Sequence, residues 1–199
     1  MHLDENELFF QEMADVTPLK VCQKTQNVIT FSPNIPTEGQ RLRQAQLNEH
    51  ELLELLSINP IDFEPVGCDE TIYHRHDGMQ DAVFKQLRLG KYQIKTVLDV
   101  HEYRIDQARI SLINCILAAY ERGERNILVI HGKGYKSKPY PALLKSAVCD
   151  WLKRIEYVAA FHSATTEQGG SGAVFVMLKK SAQKRIENSE LNRKGRGFR

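Results

Sequence analysis

An α/β fold is what the sequence predicts over residues 82–180, and three observations predict it. Short runs rich in β-branched and apolar residues ("YQIKTVLDV", "NILVI", "YVAAFHSA", "GAVFVMLKK") alternate with longer stretches whose apolar residues recur at helical spacing. Glycine and proline punctuate the boundaries between them. The resulting order is βαβαββ, the alternation from which a sheet with crossover helices is built. Before it stands an acidic region, residues 1–81, expected to be helical and partly extended, and after it a basic tail, residues 181–199.

Taken in order, "DENELFFQEMADV" at residues 4–16 places Asp4 and Glu7 at capping-box spacing and Leu8, Phe9, Met13 and Val16 on one helical face, which predicts a short amphipathic helix. Thr17-Pro18 ends it, "SPNIP" reads as linker, and a second helix is expected from Thr37 to Leu56. "NPIDFEP" then breaks regularity, and no catalytic pattern is visible up to this point. A helix in "MQDAVFKQLRLG", closed by Gly90, leads to the strand "YQIKTVLDV". The next helix puts Ile105, Ala108, Leu112, Cys115, Ile116 and Ala119 on one face, with Asp106 in its first turn and Gly123 as terminator. "NILVI" is a second buried strand. Pro141 is expected to open a helix buried through Leu144, Ala147, Val148, Trp151 and Leu152, and "TTEQGGSG" separates the last two strands.

Composition limits what such a chain does. With 199 residues, 42% apolar and 26% charged, it can bury one core of ordinary size beside a less compact extension. No apolar run reaches the length of a membrane span, and the acidic start "MHLDENELFF" lacks the bases of a targeting signal, so no membrane association and a cytoplasmic location are expected. Cys22, Cys68, Cys115 and Cys149 are scattered without a C-x-x-C, which predicts buried free thiols. The net charge of +2 conceals a division: residues 1–81 hold 5 Lys+Arg against 15 Asp+Glu, net −10, and residues 82–199 hold 22 against 10, net +12. A basic half of this kind concentrates polyanions, and the acidic half is either a solubilising arm or a contact for a basic partner.

Two strand ends carry the chemistry. "LDVHEY" closes its strand with Asp99 and His101, and "VIHGKG" follows its strand with His131, Gly132, Lys133 and Gly134. Strands joined by one helix run parallel, so both clusters are expected at the same sheet edge, with Asp99 and His101 on one side. Histidine exchanges protons near neutrality and a neighbouring carboxylate orients it. Glycines let a phosphate approach the backbone, and a turn leading into a helix would form an anion cradle beside the lysine. Acid–base groups with a phosphate cradle point to phosphoryl-ester hydrolysis or transfer.

"LDVHEY", "VIHGKG" and "GGSGAVFVML", in this order, resemble the Smr domain, the small MutS-related domain, over about residues 88–180. With its acidic N-terminal helix and basic tail, the chain resembles the stand-alone Smr proteins of proteobacteria. The resemblance implies a two-layer βαβαββ sandwich and an endonuclease that nicks DNA, or cleaves RNA at stalled ribosomes. It implies catalytic roles for Asp99 and His101 and phosphate binding by His131, Gly132, Lys133 and Gly134. Many members carry glycine where this chain has Glu102, which sets a negative side chain beside the phosphate site. Arg104, Lys136 and Lys138 flank the motifs and either grip neighbouring phosphates or form a solvated basic rim, and "GGSG" is either a nest beside the cleft or a hairpin turn. No role is assigned to His50, His74, His76 or His162. RNA cleavage through the 2′-hydroxyl needs no cofactor, whereas DNA cleavage would draw on a divalent metal such as Mg, with Asp99, His101 and His131 as the available ligand set. Nucleic acid, DNA or RNA, is the expected partner, and the N-terminal helix is a candidate contact for the ribosome. Two alternatives stand beside the nuclease: a non-catalytic nucleic-acid or ribosome adaptor, and a metal-dependent phosphoesterase of small molecules.

Overall fold

The computed structural model describes residues 37–180, and the helix expected at residues 4–16 and the basic tail lie outside them. The chain runs α1 (Glu38–Leu55), β1 (Tyr73–Arg75), α2 (Asp81–Arg88), β2 (Thr96–Asp99), α3 (Ile105–Glu121), β3 (Asn126–Ile130), α4 (Leu143–Arg154), β4 (Val158–Ser163) and β5 (Ala173–Leu178). The strands form one mixed sheet in the order β1-β4-β5-β3-β2. Among the described residues only β2 and β3 pair in parallel, with Asp99 opposite Ile130, as a crossover through α3 requires, and the other pairings are antiparallel.

Alternation within the central strands divides the core between the two faces of the sheet. Ile127 and Val129 of β3 and Val174, Val176 and Leu178 of β5 pack with α1, α3 and α4. Their alternates, Leu128 and Ile130 of β3 with Ala173, Phe175 and Met177 of β5, pack on the other face against α2 and the segment around Tyr92 and Ile94. The two-layer expectation is therefore corrected. A β5 buried along its whole length needs cover on both faces, and α2 supplies the third layer.

Other departures have local causes. β1 had no counterpart in the expected order, because three residues alternating around a half-buried His74 carry too little apolar signal. It nevertheless extends the sheet by pairing with β4. The first parallel strand is confined to Thr96–Asp99. α4 starts at Leu143 and not at Pro141, since Ala142 takes up a left-handed conformation (φ 58°) and donates its amide to Gly134 O at 2.8 Å. On α3 the inward face uses Ile113 in full, while Cys115 is only partly buried.

The last turn of α1 and residues 56–72, between α1 and β1, are stitched to the helical face by polar bonds. Arg109 donates to the carbonyls of Leu53 and Leu56, and Trp151 Nε1 to Ser57 O. The amide of Val66 reaches Ser146 Oγ, and that of Ile72 reaches Ser163 Oγ. Lys145 is fully buried on α4, and its Nζ donates to the carbonyls of Gly67, Cys68 and Glu70 at 3.0, 3.0 and 2.5 Å. A buried ammonium is costly unless its protons are used, and here three carbonyls use them. This segment forms a fixed strap that ends beside the cleft described next.

Candidate functional site

The C-terminal ends of β2 and β3, together with the loop that enters β5, meet at one edge of the sheet. The parallel register carries past the strand ends: Val100 N donates to Ile130 O at 2.9 Å, which sets His101 beside Gly132. The approach is close, since a Cβ added to Gly132 would stand 3.2 Å from His101 Cβ. Gly132 also has φ +73°, a left-handed conformation that favours glycine, and the close contact adds to the cost of any side chain there. The glycine-rich loop before β5 completes the edge, because Gly172 O accepts the amides of both His131 and Gly132 at 3.0 and 2.8 Å. Of the two readings of "GGSG", the structure shows a turn packed against the H-G-K-G loop, with Gly170–Gly172 wound as a short 3₁₀ segment that follows another at Thr166–Gln168.

Asp99 and His101 form a dyad. Asp99 Oδ1 lies 2.6 Å from His101 Nδ1 and also accepts the His101 amide at 3.1 Å. A carboxylate accepts, so Nδ1 carries the proton and Nε2 is the nitrogen left for chemistry. Both side chains are about half exposed, with room for a substrate. The hydrogen bond that Nδ1 donates to Asp99, and then the Asp99 charge, hold the imidazole above the ordinary histidine range, while the same bond lowers the Asp99 carboxyl. Glu102 Oε1 stands 3.4 Å from Nε2, so the negative side chain foreseen beside the site sits at the free nitrogen.

The two histidines of the motifs differ sharply. His131 is 2% exposed, with Nδ1 bonded to Gly132 O at 2.8 Å and Nε2 buried without a partner among the described residues. Burial pushes its pKa down to about 4, so it is neutral at physiological pH and supports the turn from inside. It offers no charge to a phosphate. Nor do Asp99, His101 and His131 converge as a ligand set: among the described residues no group of three or more His, Cys, Asp or Glu side chains is placed to hold a metal ion.

Lys133 is exposed, and its Nζ is paired with Asp69 Oδ1 at 2.9 Å. The hydroxyl of Tyr135 lies 2.8 Å from both oxygens of the same carboxylate. Lys133, then Tyr135, lowers the Asp69 pKa through these bonds, and Lys133 is raised in return. Asp69 was invisible as a site residue, because it belongs to an irregular acidic stretch and reaches the turn only through the strap. The turn does not run directly into a helix as anticipated. Its chain continues through residues 135–142 and is closed by Ala142 on Gly134 O. With the amides of His131 and Gly132 spent on Gly172, those of Lys133, Gly134 and Tyr135 remain without a partner among the described residues. Arg104 at the start of α3 and Lys136 and Lys138 in the loop are all exposed, and none is in an ion pair among the described residues.

The same residues are matched by a protein-family model, the Smr domain, over residues 98–179. A probable DNA endonuclease of Escherichia coli K12, SmrA, is 34% identical to this chain over 194 residues, 98% of the length of each. The chain belongs to the Smr family. The ribosome rescue factor SmrB of Shewanella putrefaciens is 35% identical over 102 residues, 51% of this Smr chain and 54% of SmrB. The crystal structure of YdaL, a stand-alone small MutS-related protein from Escherichia coli, superposes with a TM-score of 0.57 at 31% identity, covering 66% of this Smr chain and 99% of YdaL. No helix among the described residues is long and apolar enough to cross a membrane, and Cys68, Cys115 and Cys149 are free thiols.

Proposed function

We propose that this Smr protein is an endonuclease of nucleic acid, with His101 as its acid–base group and Asp99 as the carboxylate that orients it. The scissile phosphate sits against the Gly132-Lys133-Gly134 turn. One observation carries the reading: the Asp99–His101 bond of 2.6 Å stands at the sheet edge where Gly132 approaches so near that an added Cβ would stand 3.2 Å from His101 Cβ. Kinship with a protein named a probable DNA endonuclease supports phosphodiester cleavage, and kinship over about half its length with a ribosome rescue factor supports RNA on the ribosome as one setting.

His101 Nε2, when neutral, takes a proton from the attacking hydroxyl, and Asp99 stabilises the imidazolium so formed. On RNA the adjacent 2′-hydroxyl is that nucleophile, and the leaving 5′-oxygen takes its proton from solvent. On DNA the nucleophile must be water. The free amides from Lys133 to Tyr135 are the donors positioned to bear the phosphate charge, and Arg104, Lys136 and Lys138 hold neighbouring phosphates. His131 keeps its place in the site as a neutral support for the turn. Glu102 must swing away from Nε2 when a phosphate arrives, which its 83% exposure permits.

The test is cleavage of matched end-labelled DNA and RNA, in EDTA and in magnesium, by the full chain and by His101→Ala. Cutting of either polymer that disappears in the variant supports the assignment, and the polymer and magnesium requirement identify the nucleophile. Cutting that persists undiminished in His101→Ala would overturn it. Binding of both polymers with no cutting under any condition would leave the adaptor as the better reading.

A further inference from the structure

Tyr135 presents an aromatic ring to solvent, 59% exposed, three residues beyond the glycine that touches His101. Isolated exposed aromatics are common and by themselves say nothing. This one is fixed at both ends. Its backbone belongs to the H-G-K-G loop, and its hydroxyl is tied at 2.8 Å to Asp69, a residue 66 positions away in sequence. Asp69 is itself held in place, because Lys145 draws in the carbonyls of Gly67, Cys68 and Glu70 on either side of it. Lys133 Nζ lies 5.8 Å from the ring centroid, beside the cation that a phosphate would meet. Resting on the nuclease reading of the cleft, we propose that Tyr135 is a stacking platform for an unpaired base beside the scissile phosphate, so that the substrate is single-stranded at the cut.

Three physical points connect the geometry to that substrate. A base inside a duplex hides both faces in the stack, so an exposed ring can engage only a nucleotide that is already unpaired or is flipped out at a cost. A ring whose orientation is set beforehand spends little conformational entropy on binding. Lys133 faces a carboxylate at 2.9 Å, so the pair contributes little net attraction for polyanions in general, and selectivity at this position falls to the ring. Tyr103, 47% exposed and two residues after His101, offers a second ring on the other motif.

The experiment measures binding of fluorescein-labelled single strands, RNA and DNA, and of the same strands annealed to complements. The full chain carries His101→Ala to silence cleavage, alone and combined with Tyr135→Ala or Tyr135→Phe. Tyr135→Ala is expected to weaken single-strand binding about tenfold, with less than about a twofold effect on duplex and no change in salt dependence. Tyr135→Phe, which keeps the ring, should stay within about threefold. Equal losses on single strand and duplex, or a Phe variant as weak as the Ala variant, would overturn the stacking role. Failure of the His101→Ala parent to bind any polynucleotide would sink the nuclease reading along with it. Stacking behaviour as described in a chain whose active form never cuts would uphold Tyr135 as a platform for an unpaired base and overturn the nuclease.

Discussion

His101 has a carboxylate at each ring nitrogen, and the two are not equivalent. Asp99 at 2.6 Å makes a true hydrogen bond to Nδ1, whereas Glu102 at 3.4 Å from Nε2 is an exposed neighbour that a substrate displaces. The bond to Asp99 is the larger cause of the raised pKa, and the Glu102 charge adds to it. A general base works only when neutral, so cutting by the native protein should rise with pH through a value above the ordinary 6.5. Asp99→Asn removes the charge that stabilises the imidazolium and so lowers that pKa. The rising limb should move to lower pH while the maximal rate falls about 10²- to 10⁴-fold, measured as initial rates between about pH 5 and 9. A limb that stays in place would show that Asp99 does not govern His101. The contrast with His131 was not legible, for "DVH" and "VIH" look alike as strand ends. What separates them is cover: β2 is an edge strand, whereas His131 follows β3, which has a neighbour on each side.

Among the elements, those with strong periodicity were legible and the connections were not. α3 could be read from Ile105 to Gly123 because five of its residues are buried on one side, and β3 and β5 because nearly all of theirs are. The strap before β1 has no period at all. It is held by polar bonds from side chains that arrive from α3, α4 and β4, and such bonds leave no pattern in the sequence that receives them. Lys145 illustrates the difficulty, because a lysine within a helix reads as surface and this one is fully buried. Burial lowers its pKa, yet its three acceptors keep the site polar enough for a cation. Lys145→Met should therefore cost more than the lost bonds alone, because three carbonyls are left facing a thioether. A loss of about 2–4 kcal/mol is expected in urea unfolding. Hydrogen exchange at the bonded amides of Val66, Gly67 and Glu70, which flank Asp69, should quicken together. A destabilisation below about 0.5 kcal/mol would mean that the strap is held mainly by its apolar contacts.

At the scale of the whole molecule, two kinds of positive charge coexist. Within the cleft the cations are balanced one by one: Lys133 faces Asp69, and His101 faces Asp99 and Glu102. In the sequence as a whole the basic half carries an excess, and residues 179–199 alone hold 8 Lys+Arg against 2 Asp+Glu. Local balance within a chain half of net positive charge separates attraction from selection. General affinity for polyanions should come from the tail and from Arg104, Lys136 and Lys138, and discrimination should come from the cleft. That division was legible as the sign change between residues 1–81 and 82–199, but its local half was not, because Asp69 and Lys133 come together only in the fold. Replacing Arg193, Lys194, Arg196 and Arg199 together by glutamine removes four charges without touching a described residue. Binding to DNA and RNA should weaken by similar factors, and the slope of log affinity against log salt should become shallower by about 3–4 on duplex DNA. The preference between single strand and duplex should be retained. If that preference collapsed with the tail charges, selection would reside in the tail, and the balanced cleft would be left as a site of chemistry alone.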